Sequence, residues 1–214
     1  IGLPVPPGFT ITTECCIYYL KKKQIPPQLI KDVNEAIIKI EKTMKYQFGG
    51  LQSPLLLSIR SGARQSMPGM METVLNVGLT SKTIPGLTKL FKDERFVYDA
   101  YRRLIMMYAD VVMEKSEGII IKRGDLSIRQ ELELILEDIK TKHHIKDDSE
   151  LSVKQLKKIC SLFKKKIKLK LGKTFPDDPE KQLWGAIEAV FKSWNGKGAI
   201  HYRKIENIPN HWGT

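Results

Sequence analysis

Two arginines, three hydroxyls and two glycines share one short stretch, Ser58 to Gly69, reading SIRSGARQSMPG. Arg60 and Arg64 each carry a planar guanidinium fork that can grip two oxygens of a phosphate or carboxylate together. Ser58, Ser61 and Ser66 add hydroxyl donors. Gly62 and Gly69 let backbone N–H groups come close to a ligand. The chemistry that suits this set is the holding of an anion, phosphate above all. The same RSGxR spacing would also serve an arginine that ties down its own loop, and residue types alone leave both readings open.

The elements around the stretch must present it. Leu55-Leu56-Leu57 followed by the alternation Ser58, Ile59, Arg60 predicts a buried strand whose polar end emerges at Arg60. Pro68-Gly69 marks a turn, and Glu72 to Leu79 reads as a short strand or a turn. Upstream, three prolines precede a short strand at Gly8 to Thr12. Thr13 then caps a helix with Glu14 in its first turn, ended by Lys21-Lys22-Lys23. Pro26-Pro27 opens a second helix with Leu29, Val33, Ile37, Ile40 and Met44 on one face, closed by Gly49-Gly50.

Beyond residue 80 the pattern is helix after helix. One is expected from Asp93 to Gly118, striped by Phe96, Ala100, Leu104, Tyr108 and Val111. Capping boxes, Ser127 with Gln130 and Ser152 with Gln155, start two more. Ile128, Leu132, Ile135 and Ile139 stripe the first of these, and Gly172 ends the second. Asp178-Pro179-Glu180 opens the last helix, stopped at Asn195-Gly196, and Ala199 to Glu206 reads as a final strand. The expected class is α+β. A mixed α/β unit, residues 1–80 plus 174–214, carries the phosphate loop and is interrupted by a mostly helical insert, 81–173.

Composition narrows the function classes. The 214 residues are 42% hydrophobic and 28% charged, as in globular domains. No apolar run approaches the roughly 20 residues that span a bilayer, and no membrane partner is expected. Ile1 is no initiator and no signal peptide is visible, so the chain reads as a fragment with a cytoplasmic parent; an organellar leader would lie outside it. Cys15, Cys16 and Cys160 make a poor disulfide framework and fit a reducing interior. His143, His144, His201 and His211 lack metal-ligand spacing, so no metal site is assigned. Of the net charge of +12, +9 comes from residues 151–173, which hold nine Lys and no Asp or Glu, and +3 from the rest. Leu156, Ile159, Cys160, Phe163 and Ile167 recur at helical spacing beneath those lysines. Base-stacking aromatics are not interleaved with them, so a solvated helix face is read in preference to a nucleic-acid surface.

The literal string SIRSGARQSMPGMMETVLNVGLT resembles the ATP-binding loop of the pyruvate, phosphate dikinase family. GLPVPPGFTITTE at 2–14, RFVYDAYRRLI at 95–105 and WNGKGAIHYRKIENIPNHWGT at the end resemble the same family in the same order. The resemblance implies an ATP-grasp-like nucleotide-binding domain of a multidomain phosphotransferase. Such an enzyme converts ATP, phosphate and pyruvate to AMP, diphosphate and phosphoenolpyruvate with Mg²⁺, by way of a histidine on another domain. It further implies ATP as ligand, partners in the phosphohistidine and pyruvate domains of the same chain, and a homodimeric parent. The family's ATP-contacting arginine falls on Arg60, and the glycine and methionine of its polyphosphate loop on Gly69 and Met71. Arg64, Ser66 and Thr73 share that loop. Met67 and Met70 are read as packing beneath it. The family's ATP-site lysine, acidic Mg²⁺ ligands and phosphohistidine motif have no counterpart in these 214 residues, so the chain alone is expected to be inactive. Phosphoenolpyruvate synthases and glucan, water dikinases share the arginine-bearing strand and loop and are the alternatives. A basic nucleic-acid-binding or interaction module is the alternative of another class.

Overall fold

The structure is a computed structural model and describes residues 5–65, 67 and 69–214. Ser66 therefore lies outside the described residues. Helices and two small sheets make a mixed α+β fold. Helix α1 (Thr13–Lys22) buries Cys16 and Tyr19, and α2 (Pro27–Met44) buries Leu29, Val33, Ile37 and Ile40, the positions that its 3.6-residue period requires. Strands β1 (Gln47–Phe48) and β2 (Pro54–Leu55) form a minimal parallel pair. The arginine-bearing stretch lies on the second sheet, in which β3 (Leu57–Arg60) runs antiparallel to β4 (Thr73–Val77). Val74 and Val77 are fully buried, whereas Ser58 and Arg60 face out.

The helical region starts with α3 (Ile84–Phe91) and α4 (Glu94–Tyr108), which runs on into a π-helical stretch, Ala109–Lys115. The π stretch turns two acids inward. Glu114 Oε2 accepts the Ile128 N–H at 2.8 Å, capping the start of α5 (Ile128–Lys142). Asp110 is held by Lys115 at 2.9 Å and Arg129 at 3.7 Å. Helix α6 (Val153–Leu171) lies on α4 and α5, and both predicted capping boxes are formed. Helix α7 (Pro179–Ser193) returns to pack against β3 and β4.

One side chain joins these parts. Gln182, fully buried on α7, accepts the Gly78 N–H at 2.9 Å through Oε1. Its Nε2 donates to Leu79 O at 3.2 Å and Pro176 O at 2.9 Å. A single amide thus satisfies three backbone groups from two distant segments, groups that would be costly to bury unpaired.

Four expectations are corrected. Gly8 to Thr12 is no strand: it has no ladder partner, and Thr12 instead becomes the N-cap residue of α1. Helix α2 ends at Met44 with Lys45 in a left-handed conformation, φ 59°, before Gly49-Gly50 is reached. On α4 the inward stripe is Val97, Tyr101, Leu104, Ile105 and Tyr108, and Phe96 is half exposed, edge-on to Phe91 at 5.4 Å. Finally, Ala199 to Glu206 is helical rather than extended, as α8 (Lys197–Ile205). Its inward residues are Ala199 and Arg203, one turn apart. Arg203 stacks 4.1 Å from the Trp194 ring centroid and donates to Trp194 O and, at 3.2 Å, to Asn210 Oδ1. A buried arginine hides the helical period from a hydrophobic count.

Asp177 ties the start of the helical region to its end. It accepts the Ser81 N–H at 2.8 Å, the Ser81 hydroxyl and the Tyr101 hydroxyl at 2.8 Å, and Lys164 lies 3.9 Å away. Burial raises its pKa, but the Ser81 and Tyr101 hydrogen bonds and Lys164 outweigh that and hold the carboxyl below the ordinary aspartate value. Its stabilisation is therefore fully present above the unfolded value of about 4 and is lost as pH falls through the depressed folded value. Thermal melts from about pH 5 down to about pH 2 should show wild-type stability falling more steeply than that of Asp177→Asn. Parallel acid limbs would show that this carboxylate is not coupled to folding.

Candidate functional site

The β3–β4 register builds the site. Arg60 stands directly opposite Thr73, so residues 61–72 form a loop pinched at its neck by a cross-strand pair. Arg60, Arg64, Gly69, Met71 and Thr73 are thereby brought onto one strand–loop–strand unit. Arg60 is exposed. Among the described residues no carboxylate lies within ion-pair distance of Arg60 or Arg64. Two guanidinium groups thus share one loop, neither in an ion pair among the described residues.

The underside of the loop is apolar. Met67 is buried, and Met70 and Met71 pack partly buried against the core, with the Ser193 hydroxyl of α7 4.0 Å from Met71 Sδ. The upper side is open. Gly69 has φ +71°, and a Cβ added there would meet no atom of the described residues within 4 Å. The glycine is thus required by backbone conformation and not by crowding inside the protein. Thr73 begins β4, half buried.

Arg64 leans the other way, toward the C-terminal segment. Its guanidinium sits 5.9 Å from the Trp212 ring centroid. Beside it lies a groove of about 400 Å³ lined by Arg64, Trp212, His211, Glu14, Tyr18 and Lys21. The Glu14 carboxyl is held below its ordinary value chiefly by a backbone N–H at the helix start, then by the Thr12 hydroxyl, with the Arg64 charge adding to it. Ser61 Oγ and Thr214 Oγ1 are 2.6 Å apart. The candidate residues thus divide: Arg60, Gly69, Met71 and Thr73 belong to the neck and far limb of the loop, and Arg64 is drawn to the groove.

Sequence reasoning missed the partners of the loop. Trp212 and Thr214 lie some 150 residues from it in the chain, and only the quoted ending HWGT pointed their way. A second recess, about 370 Å³, lies between β4 and α3–α4; Asn76, Asp99 and Arg103 are its polar lining, and Arg103 pairs with Asp99 at 2.9 Å. Its signal was RFVYDAYRRLI, in which Arg103 has no distinguishing spacing.

The lysine-rich run is largely answered from within. Lys157 pairs with Glu94, Lys164 with Asp177, Lys166 and Lys170 with Glu131, and Lys173 with Glu117, at 2.8–3.9 Å. Glu131 and Glu117 are each held below the ordinary glutamate value by hydrogen bonds from two lysines. Among the described residues no helix is long and apolar enough to cross a membrane, and no three His, Cys, Asp or Glu side chains stand together as a metal site would require.

Comparison with known proteins decides the family. The sequence profile of the pyruvate phosphate dikinase AMP/ATP-binding domain matches residues 19–213. The chain belongs to that family. Across its whole length it is 46% identical to a pyruvate, phosphate dikinase of Rhizobium meliloti and 42% identical to one of Clostridium symbiosum. It is 43% identical to a chloroplastic pyruvate, phosphate dikinase of Mesembryanthemum crystallinum. The chain spans 23% of the length of the first two and 21% of the third, about a quarter or less of each relative.

The geometry at Gly69 yields a direct expectation for this family member. Gly69→Ala places a Cβ at positive φ with no neighbour to clash with, so it should cost about 1–2 kcal/mol, the left-handed penalty alone. Urea denaturation measures it. A much larger loss would mean that Gly69 is packed against something.

Proposed function

We propose that this chain is the nucleotide-binding part of a pyruvate, phosphate dikinase. In this reading the β3–loop–β4 unit holds the polyphosphate of ATP while a phosphoryl group passes to a histidine on another domain of the same polypeptide. The observation that carries the proposal is the Arg60–Thr73 pair. It closes the loop so that an exposed arginine, with no carboxylate partner among the described residues, stands at the base of a glycine-bearing backbone with positive φ.

The roles follow from charge and reach. Arg60 grips phosphate oxygens and offsets negative charge that grows on the transferred group. Gly69 lets backbone N–H groups approach the phosphates, as no side chain occupies the space above it. Met71 supports the loop from below, and Thr73 offers a hydroxyl at its neck. Arg64 and Ser66 complete the donor set. Mg²⁺ accompanies the nucleotide in this reading, and the proposal assigns it no ligand among the described residues.

The wider architecture fits an ATP-grasp-like subdomain, 1–80 plus 174–214, interrupted by a helical insert, 81–173. Support comes from Ser81, at the start of that insert, bonding to Asp177, four residues past its end, and from Gln182 joining α7 to the end of β4. The parent would act as a homodimer in which the phosphohistidine and pyruvate domains of the same polypeptide complete the reaction.

The test separates the two half-reactions in the full-length enzyme. Arg60→Ala should slow transfer from ATP to the histidine by about 10²–10³-fold, the usual cost of losing one charge-stabilising donor. Transfer from the phosphorylated histidine to pyruvate should be unchanged. Equal losses in both halves would make Arg60 a structural residue.

A further inference from the structure

The C-terminal segment touches the candidate loop at two points and is itself firmly held. Trp194 Nε1, at the end of α7, donates to Asn210 O at 3.0 Å, and Arg203 of α8 donates to Asn210 Oδ1. A 3₁₀ turn, Asn210–Trp212, then carries the chain under α1. Gly213 has φ +72°, and a Cβ there would stand 2.9 Å from Thr13 O, so the segment passes too close to α1 for any side chain. From this anchored position Trp212 lies under the Arg64 guanidinium, and Thr214, buried, bonds the Ser61 hydroxyl. Ser61 in turn accepts the Ala63 N–H at 3.4 Å.

We infer that Asn210–Thr214 is a latch for the phosphate loop and that Trp212 and Thr214 are positioning residues for nucleotide binding. The inference rests on the reading of the loop as a phosphate site. Arg64 and Ser61 belong to the near limb of the loop, between the neck at Arg60 and the buried Met67. Among the described residues no carboxylate is within ion-pair distance of that limb; Glu14 faces Arg64 only across the groove. Its tethers are an aromatic face and a hydroxyl; the aromatic contact uses none of the guanidinium N–H donors, so it can persist while they grip a phosphate, and it restricts where the arginine waits. An aromatic partner suits this better than an acid, which would compete with the ligand for the same charge. The latch therefore lowers the ordering cost that the nucleotide would otherwise meet on binding.

The experiment uses the full-length protein with Trp212→Ala, Trp212→Phe, Thr214→Val, Arg60→Ala, Arg64→Ala and the Arg64→Ala/Trp212→Ala double variant. Two readouts are taken: hydrogen exchange of the loop amides, and Mg-ATP affinity by calorimetry. Trp212→Ala and Thr214→Val should speed exchange at Ser61 to Arg64. Trp212→Ala should weaken Mg-ATP by about three- to thirtyfold, the range expected for one cation–π contact. Trp212→Phe should restore most of that, and the double variant should bind no worse than Arg64→Ala alone. The nucleotide KM should rise while phosphoryl transfer to pyruvate keeps its rate. Unchanged exchange in the milder Thr214→Val and Trp212→Phe variants together with Trp212→Ala would overturn the latch. Faster exchange with Mg-ATP affinity reduced by Arg60→Ala but not by Trp212→Ala would overturn the positioning role and leave the site reading intact. Unaltered affinity in Arg60→Ala would overturn the site reading and the latch's part in binding together.

Discussion

The buried Gln182 amide is the constraint on which the rest of the site depends. Strand β4 must end where its backbone turns away at Gly78, and a backbone N–H and carbonyl left there in the core would each cost about 1–3 kcal/mol. Gln182 satisfies both from α7 and spends its remaining donor on Pro176. The same contact fixes how the last long helix lies on the β3–β4 sheet, and so fixes the sheet that carries Arg60. An apolar residue of similar volume would fill the space but leave three backbone groups unpaired.

From that fixed sheet the chemistry follows by exposure and charge. Part of the charge is answered within the protein: lysines of α6 find Glu94, Glu131 and Asp177, Lys173 finds Glu117, and Arg102 finds Asp99 and Asp148. Arg60 is exposed at the neck of a loop whose underside is lined by methionines. An exposed cation without an ion pair is common on this basic molecule, so it is the place of Arg60 at the loop neck, opposite Thr73, that makes it the candidate to meet an anion arriving from outside. Membership of the AMP/ATP-binding domain family of pyruvate phosphate dikinases gives that arrival its chemical class.

Much of this was legible in the sequence because local rules and tertiary packing agreed. The Leu29, Val33, Ile37 and Ile40 stripe on α2, both serine capping boxes, the Asp178 cap of α7 and the strand ending at Arg60 were readable from spacing alone, whereas Met44, expected on the same face of α2, is exposed. The failures came where a polar or charged residue took a buried place. Arg203 inside α8 broke the apolar period and made a helix resemble a strand. On the first half of α4, where the Asp99–Arg102 pair is buried, Val97 and Tyr101 face inward in place of Phe96 and Ala100, whereas Leu104, Tyr108 and Val111 are buried as the spacing predicts. Gly8 to Thr12 has the composition of a strand, but a strand needs a neighbour and none stands beside it. Of the site, the loop and its donors were legible, since a short string holds them. The pairing of Arg64 with Trp212 and of Ser61 with Thr214 was not, because about 150 intervening residues bring those partners together only through the fold.

The central claim is that the β3–loop–β4 unit receives the phosphates of ATP. A crystal structure of the full-length protein with a non-hydrolysable ATP analogue and Mg²⁺ tests it most directly. The account predicts phosphate oxygens within hydrogen-bonding distance of the Arg60 guanidinium and of backbone N–H groups around Gly69. Phosphates bound elsewhere, with Arg60 still facing solvent or turned to a protein carboxylate, would contradict it.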